Sequence, residues 1–98
     1  MPRPKPLDWA NAALEELADG LAYIAEESLS GAATVKHRFD LACARISRNP
    51  TVNREDVVAG TREAGVARTQ YTLIFEERAD SIVILHCWHQ RRQAPASP

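Results

Sequence analysis

The 98-residue sequence carries no excess of positive charge: 12 Lys and Arg stand against 13 Asp and Glu, a formal net charge of −1. Non-specific nucleic-acid binding draws its affinity from neutralised phosphates, so a generic nucleic-acid binder is excluded and any phosphate contact must come from a local patch. Two cysteines, Cys43 and Cys87, are too few for a disulfide framework, which points to a reduced, cytoplasmic chain. No apolar run approaches the roughly 18–20 residues of a membrane span. The basic start, Met1-Pro2-Arg3-Pro4-Lys5-Pro6, leads into no hydrophobic stretch and is not expected to be a signal peptide. There is no glycine-rich phosphate loop, no nucleophile elbow and no paired-carboxylate signature. His86, Cys87 and His89 fall short of the four ligands of a structural zinc site, and strand alternation turns neighbours to opposite faces. No metal and no cofactor is therefore expected.

What is present suits one globular domain. Apolar residues make up 45% and charged residues 26%, so a single core is within reach over residues 1–98, with 1–5 and 94–98 as flexible tails. Leu7 and Trp9 alternate as in a short strand over 6–10. Asn11 then stands where a helix N-cap belongs. Leu14, Leu17, Leu21 and Ile24 recur at spacings of 3, 4 and 3, which predicts a helix over 12–27 with Gly20 inside it. Close packing of a neighbouring helix would explain that glycine. Ser28 or Ser30 caps a second helix over 31–47, striped by Val35, Phe39, Ala42 and Ile46 and stopped by Asn49-Pro50. So short a connection makes the two helices an antiparallel hairpin. The charges on their polar faces, Glu16, Asp19, Glu26, Glu27, Lys36, Arg38 and Arg45, are expected to be solvated.

Residues 48–60 read as a loop. Three strands follow, over 61–67, 70–77 and 81–88, and Glu77-Arg78-Ala79-Asp80 turns the last two into an antiparallel hairpin. The last strand is apolar on both faces and is expected to be central. Helices grouped before strands give an α+β fold of order β-α-α-β-β-β, a helical hairpin on one face of a small antiparallel sheet.

The residues that invite chemistry lie at the end of the last strand. His89 can move protons near neutral pH, and Arg91 and Arg92 can fork onto phosphate or carboxylate groups. His89 and Arg91 are the candidate catalytic pair. Arg62, His89, Arg91 and Arg92 are the candidate binding residues for a target or a protein partner. Cys43 lies beside the second helical stripe and reads as a small core residue.

Four stretches in this order carry a family resemblance. Leu21-Ala22-Tyr23-Ile24-Ala25-Glu26 is similar to a first-helix "YIA" segment, and Gly60-Thr61-Arg62-Glu63 to a "GTRE" strand entry. Gln70-Tyr71-Thr72-Leu73-Ile74-Phe75 is similar to a central "YxIIY" strand, and Ile82–Arg92 to a closing "ILxVxHxRR" strand. Together they resemble the ParE/RelE superfamily of type II toxin–antitoxin modules, also called plasmid stabilisation proteins, over residues 6 to 95.

The resemblance implies a small cytoplasmic toxin neutralised by a cognate antitoxin in a hetero-oligomer. RelE-type members cleave mRNA on the ribosome, whereas ParE-type members poison DNA gyrase. RelE-type enzymes place a basic residue directly after the central-strand tyrosine, where this chain has Thr72, and an acid–base side chain, often tyrosine, in the C-terminal tail. The tail Gln93–Pro98 has none, and only Arg91 matches a RelE-type catalytic arginine. The expectation is therefore a ParE-like gyrase inhibitor, with a ribosome-dependent mRNA endoribonuclease built on His89 and Arg91 as the alternative.

Overall fold

The computed structural model describes residues 4–50, 54–55 and 60–90. Strand β1 (Leu7–Trp9) is followed by helices α1 (Asn11–Glu27) and α2 (Leu29–Arg48). Strands β2 (Arg54–Glu55), β3 (Thr61–Gly65), β4 (Tyr71–Glu77) and β5 (Ile82–His89) follow. They form one sheet of order β1-β5-β4-β3-β2. Three of its four pairings are antiparallel, but β1 runs parallel to β5, with Leu7, Asp8 and Trp9 opposite Ile82, Val83 and Ile84. The sheet is thus mixed rather than antiparallel throughout. The helical hairpin returns the chain to the start of β1, where Ser47 meets Lys5, and the later strands then bring β5 back alongside β1 in the same direction.

The two-residue β2 lies inside the stretch expected to be loop. Its register sets Arg54 opposite Glu63 and Glu55 opposite Arg62. The β3–β4 turn is longer than the sequence suggests, because β3 ends two residues early and β4 starts one residue late. β3 stops at Gly65; Val66 N–H donates to the Tyr71 carbonyl, and the Thr69 hydroxyl donates to the Val66 carbonyl at 2.8 Å while accepting from Tyr71 N–H at 3.1 Å.

The two helix starts are set by different hydrogen bonds, one long-range and one local. Ala10, not Asn11, caps α1, and no side-chain cap bond is made there. The Ala10 N–H donates to the Ile84 carbonyl at 2.9 Å, which keeps Ala10 extended as the last rung of the ladder, and its own carbonyl already accepts from Leu14 N–H. Ser28 caps α2 through its hydroxyl, which accepts from Gly31 N–H at 2.9 Å, so this helix begins at Leu29, two residues before its expected start at Gly31.

The core lies between the hairpin and the sheet. Phe39, Ala42 and Ile46 of α2 meet Leu73, Phe75, Ile82, Ile84 and Cys87. From α1 the most buried residues are Ala13 and Gly20, with Leu17 and Ile24 packed beside them; Leu14, expected in the stripe, is half exposed. Gly20 serves the sheet rather than a helix. A Cβ there would stand 2.5 Å from the Tyr71 hydroxyl oxygen and 3.1 Å from its ring. Tyr71 is itself buried and packs on Phe39 at a centroid distance of 5.3 Å, so it has little room to give. Gly20→Ala is expected to destabilise by about 1–3 kcal/mol through overpacking, despite the better helix propensity of alanine. In a Tyr71→Phe background the same change is expected to be near neutral. Chemical denaturation of the four chains in the cycle measures this coupling.

Lys5, placed in the N-terminal tail by the sequence, is held on both sides. Its N–H donates to the Ser47 carbonyl at 3.1 Å and its carbonyl accepts from the Ser47 hydroxyl. Its ammonium lies 2.8 Å from both Glu77 Oε2 and the Arg78 carbonyl.

Candidate functional site

The end of β5 is shaped by a bulge. Ile84 pairs with Phe75 and His86 with Ile74, leaving Leu85 as the extra residue. Strand alternation would put residues 82, 84, 86 and 88 on one face. The bulge shifts the parity, so Ile82, Ile84 and Cys87 enter the core. His89 lies two residues further on, opposite Tyr71, and its ring meets the Tyr71 ring edge-on at 5.1 Å and 84°. His86 belongs to a different cluster: its ring stacks on Trp88 at 4.8 Å and 25°. The two histidines stand against different aromatic partners, as their odd spacing implies. Among the described residues no group of three or more His, Cys, Asp or Glu side chains is placed to hold a metal ion.

Arg62 and His89 are not brought together. Arg62 pairs with Phe75 and His89 with Tyr71, four residues apart along β4, or about 13 Å along the strand, and they lie on strands β3 and β5 to either side of it. Arg62 instead lines a small hollow of about 180 Å³ with Gly60, Thr61 and Glu77, at the far end of the sheet. Gly60 is there in the left-handed region at φ +87°, which glycine adopts without strain. Arg91 and Arg92, and the tail 94–98, lie outside the described residues.

Glu16 is the residue that the sequence does not single out. Expected on a solvated face, it reaches β5 instead: Oε1 accepts from the Cys87 N–H at 2.9 Å and lies 3.3 Å from His86 Nδ1. No local pattern marks it, since the contact joins residues 71 positions apart. A second feature opens at the other side of the hairpin. A cleft of about 310 Å³ is lined by Trp9, Leu14, Leu17, Phe39 and Cys43, together with the Lys36–Asp40 ion pair.

Both thiols are held protonated. Burial, with Asp40's charge adding and Lys36 opposing, pushes Cys43 from its usual 9.0 up to about 11. Burial, with the nearby Glu16 charge and Cys43, pushes Cys87 up to about 12. A thiol whose folded pKa lies above its unfolded value binds more protons in the folded state between those values, so its contribution is complete below pH 9 and is lost as pH rises through 11 to 12. Stability is expected to fall with pH above about 9, and less steeply in Cys43→Ala. Denaturation midpoints across pH 8–11 test this.

A family model described as "ParE toxin of type II toxin-antitoxin system, parDE" matches residues 7–94. Among solved structures, a chain of the "Chromosomal ParDE TA system from P. aeruginosa" superposes with a TM-score of 0.75 at 16% sequence identity, covering 87% of this chain and 95% of the other. At that identity the likeness is one of fold. No curated protein matches the sequence. No helix among the described residues is long and apolar enough to cross a membrane.

Proposed function

The chain belongs to the ParE toxin family of type II toxin–antitoxin systems, and we propose that it acts in the cytoplasm by binding DNA gyrase and trapping it on DNA, without cleaving a substrate. The observation that carries this reading is the family match, which spans both helices and all five described strands. Thr72 in place of a basic residue after Tyr71, and a tail with no tyrosine, support the gyrase target over mRNA. Arg62, His89, Arg91 and Arg92 are the residues proposed to meet the target or the antitoxin, with Arg62 at one end of the sheet and His89 at the other.

The partner is a cognate antitoxin, in a hetero-oligomer. We propose that it covers the outer side of the helical hairpin, where Tyr23, Leu29 and Leu41 expose large apolar surface and the cleft beside Leu14 opens. The rival reading, a ribosome-dependent mRNA endoribonuclease, rests on His89 and Arg91. Induced expression with and without the neighbouring gene separates the two when supercoiling and translation are followed. Growth arrest with failing supercoiling supports gyrase. Arrest with rapid mRNA cleavage and intact supercoiling overturns it.

A further inference from the structure

β1 flanks only the first part of β5. Its pairing ends at Trp9 opposite Ile84, and Ala10 N–H adds one bond to the Ile84 carbonyl. β5 continues to His89, through the bulge at Leu85, and among the described residues no strand flanks its outer edge there. There the strand ladder holds β5 only from its β4 side, and a bulged strand paired on one side opens more readily than one paired on both. At this edge the Cys87 N–H meets a carboxylate in place of a strand carbonyl: Glu16 Oε1, at 2.9 Å. The bond is charge-assisted, and the Glu16 side chain is only 20% exposed. The same carboxylate lies 3.3 Å from His86 Nδ1, whose ring is backed by Trp88.

We propose that Glu16 is a positioning residue for toxicity: it ties the outer edge of β5 to α1 beyond the end of β1 and so fixes the direction in which His89 is presented to the target. This rests on the reading that the chain is a toxin whose target meets the end of β5, and it does not depend on whether that target is gyrase. His89 follows Cys87 by two residues, so an opening at Cys87 frees the backbone that carries it.

The test compares the full chain with Glu16→Ala and Glu16→Gln. Backbone amide exchange at Cys87 and growth arrest on induction without the neighbouring gene are the readouts. Loss of a charge-assisted hydrogen bond corresponds to about a 10- to 100-fold change in the opening equilibrium. Glu16→Ala is expected to speed Cys87 exchange by about that factor and to weaken growth arrest at least about tenfold at matched soluble protein level. Glu16→Gln keeps an acceptor oxygen and is expected to restore both, which a residue valued for its charge alone does not predict. Arrest as strong as wild type in Glu16→Ala, with Cys87 exchange accelerated, overturns the proposal. So does unaltered Cys87 exchange, or a Glu16→Gln chain that folds and protects Cys87 yet is no longer toxic. Wild-type arrest with intact supercoiling removes gyrase as the target and leaves Glu16 to be judged by the same readouts. A wild-type chain that leaves growth untouched overturns both readings.

Discussion

Phe75→Ala is expected to remove a large part of the fold's stability, about 3–5 kcal/mol. Domains of this size hold about 5–15 kcal/mol in total, so the variant sits near the edge of folding. The reason is its place. Phe75 is fully buried at the middle of β4, paired with Arg62 on one side and Ile84 on the other, beside the bulge. It belongs to the cluster that joins α2 to the sheet through Phe39, Ala42 and Ile46. Truncation leaves a void between two layers that cannot close without moving the hairpin, and that void adds its own term to the lost transfer free energy. The thermal midpoint is expected to drop by at least about 12 °C. Leu29→Ala is the control: Leu29 is 80% exposed at the hairpin tip and its loss is expected to change stability by less than about 0.5 kcal/mol. Equal losses in the two variants would mean that the core lies elsewhere.

Much of this arrangement was legible in the sequence because it repeats locally. The stripe of Phe39, Ala42 and Ile46 and the alternation of Tyr71, Leu73 and Phe75 place both sides of the core by period alone. What was not legible depends on contacts between distant residues. The sheet-facing side of α1 keeps Leu17 and Ile24 of the expected stripe but takes Ala13 and Gly20 in place of Leu14 and Leu21, and Gly20 leaves the space that Tyr71 fills. Ala10 is drawn into the cap position by Ile84, 74 residues away, so the better-suited Asn11 makes no cap bond. The strand β1 pairs with the end of the chain, and nothing within three residues declares that it does so in parallel.

The functional end of the molecule shows the same division. That His86 and His89 diverge follows from their spacing. Which of them turns toward the helices does not, because Leu85 is an extra residue only by virtue of how β5 pairs with β4. Without the bulge His86 would enter the core and Cys87 would leave it. β5 also continues past the end of β1, which stops at Trp9 opposite Ile84, and Glu16 reaches its edge from α1. A charged helix residue with no partner in sequence reads as solvated; only the tertiary fold gives it an amide to hold.

The geometry around His89 gives the second large expectation. A chain ending at Gln90 retains the β4–β5 ladder, including the bond from Gln90 N–H to the Gln70 carbonyl at 2.8 Å, and removes Arg91 and Arg92. It is expected to lose growth arrest by at least about 100-fold in the level needed, if the arginines carry most of the contact with the target; a buried charged partner removed from an interface costs about 2–5 kcal/mol. His89→Ala is expected to be much milder. Its ring packs edge-on against Tyr71, a contact worth about 0.5–1.5 kcal/mol, so its loss loosens the end of β5 without removing the arginines. An acid–base role predicts the opposite ranking for chemistry: His89→Ala alone would lower mRNA cleavage by about 10²–10⁴-fold with the arginines intact. Titrating growth arrest, supercoiling and mRNA integrity in both variants therefore decides what the residue is for. Toxicity that survives His89→Ala and vanishes on truncation makes the end of β5 a binding surface. Toxicity and RNA cleavage that collapse together in His89→Ala make His89 a catalytic residue and remove gyrase from the account.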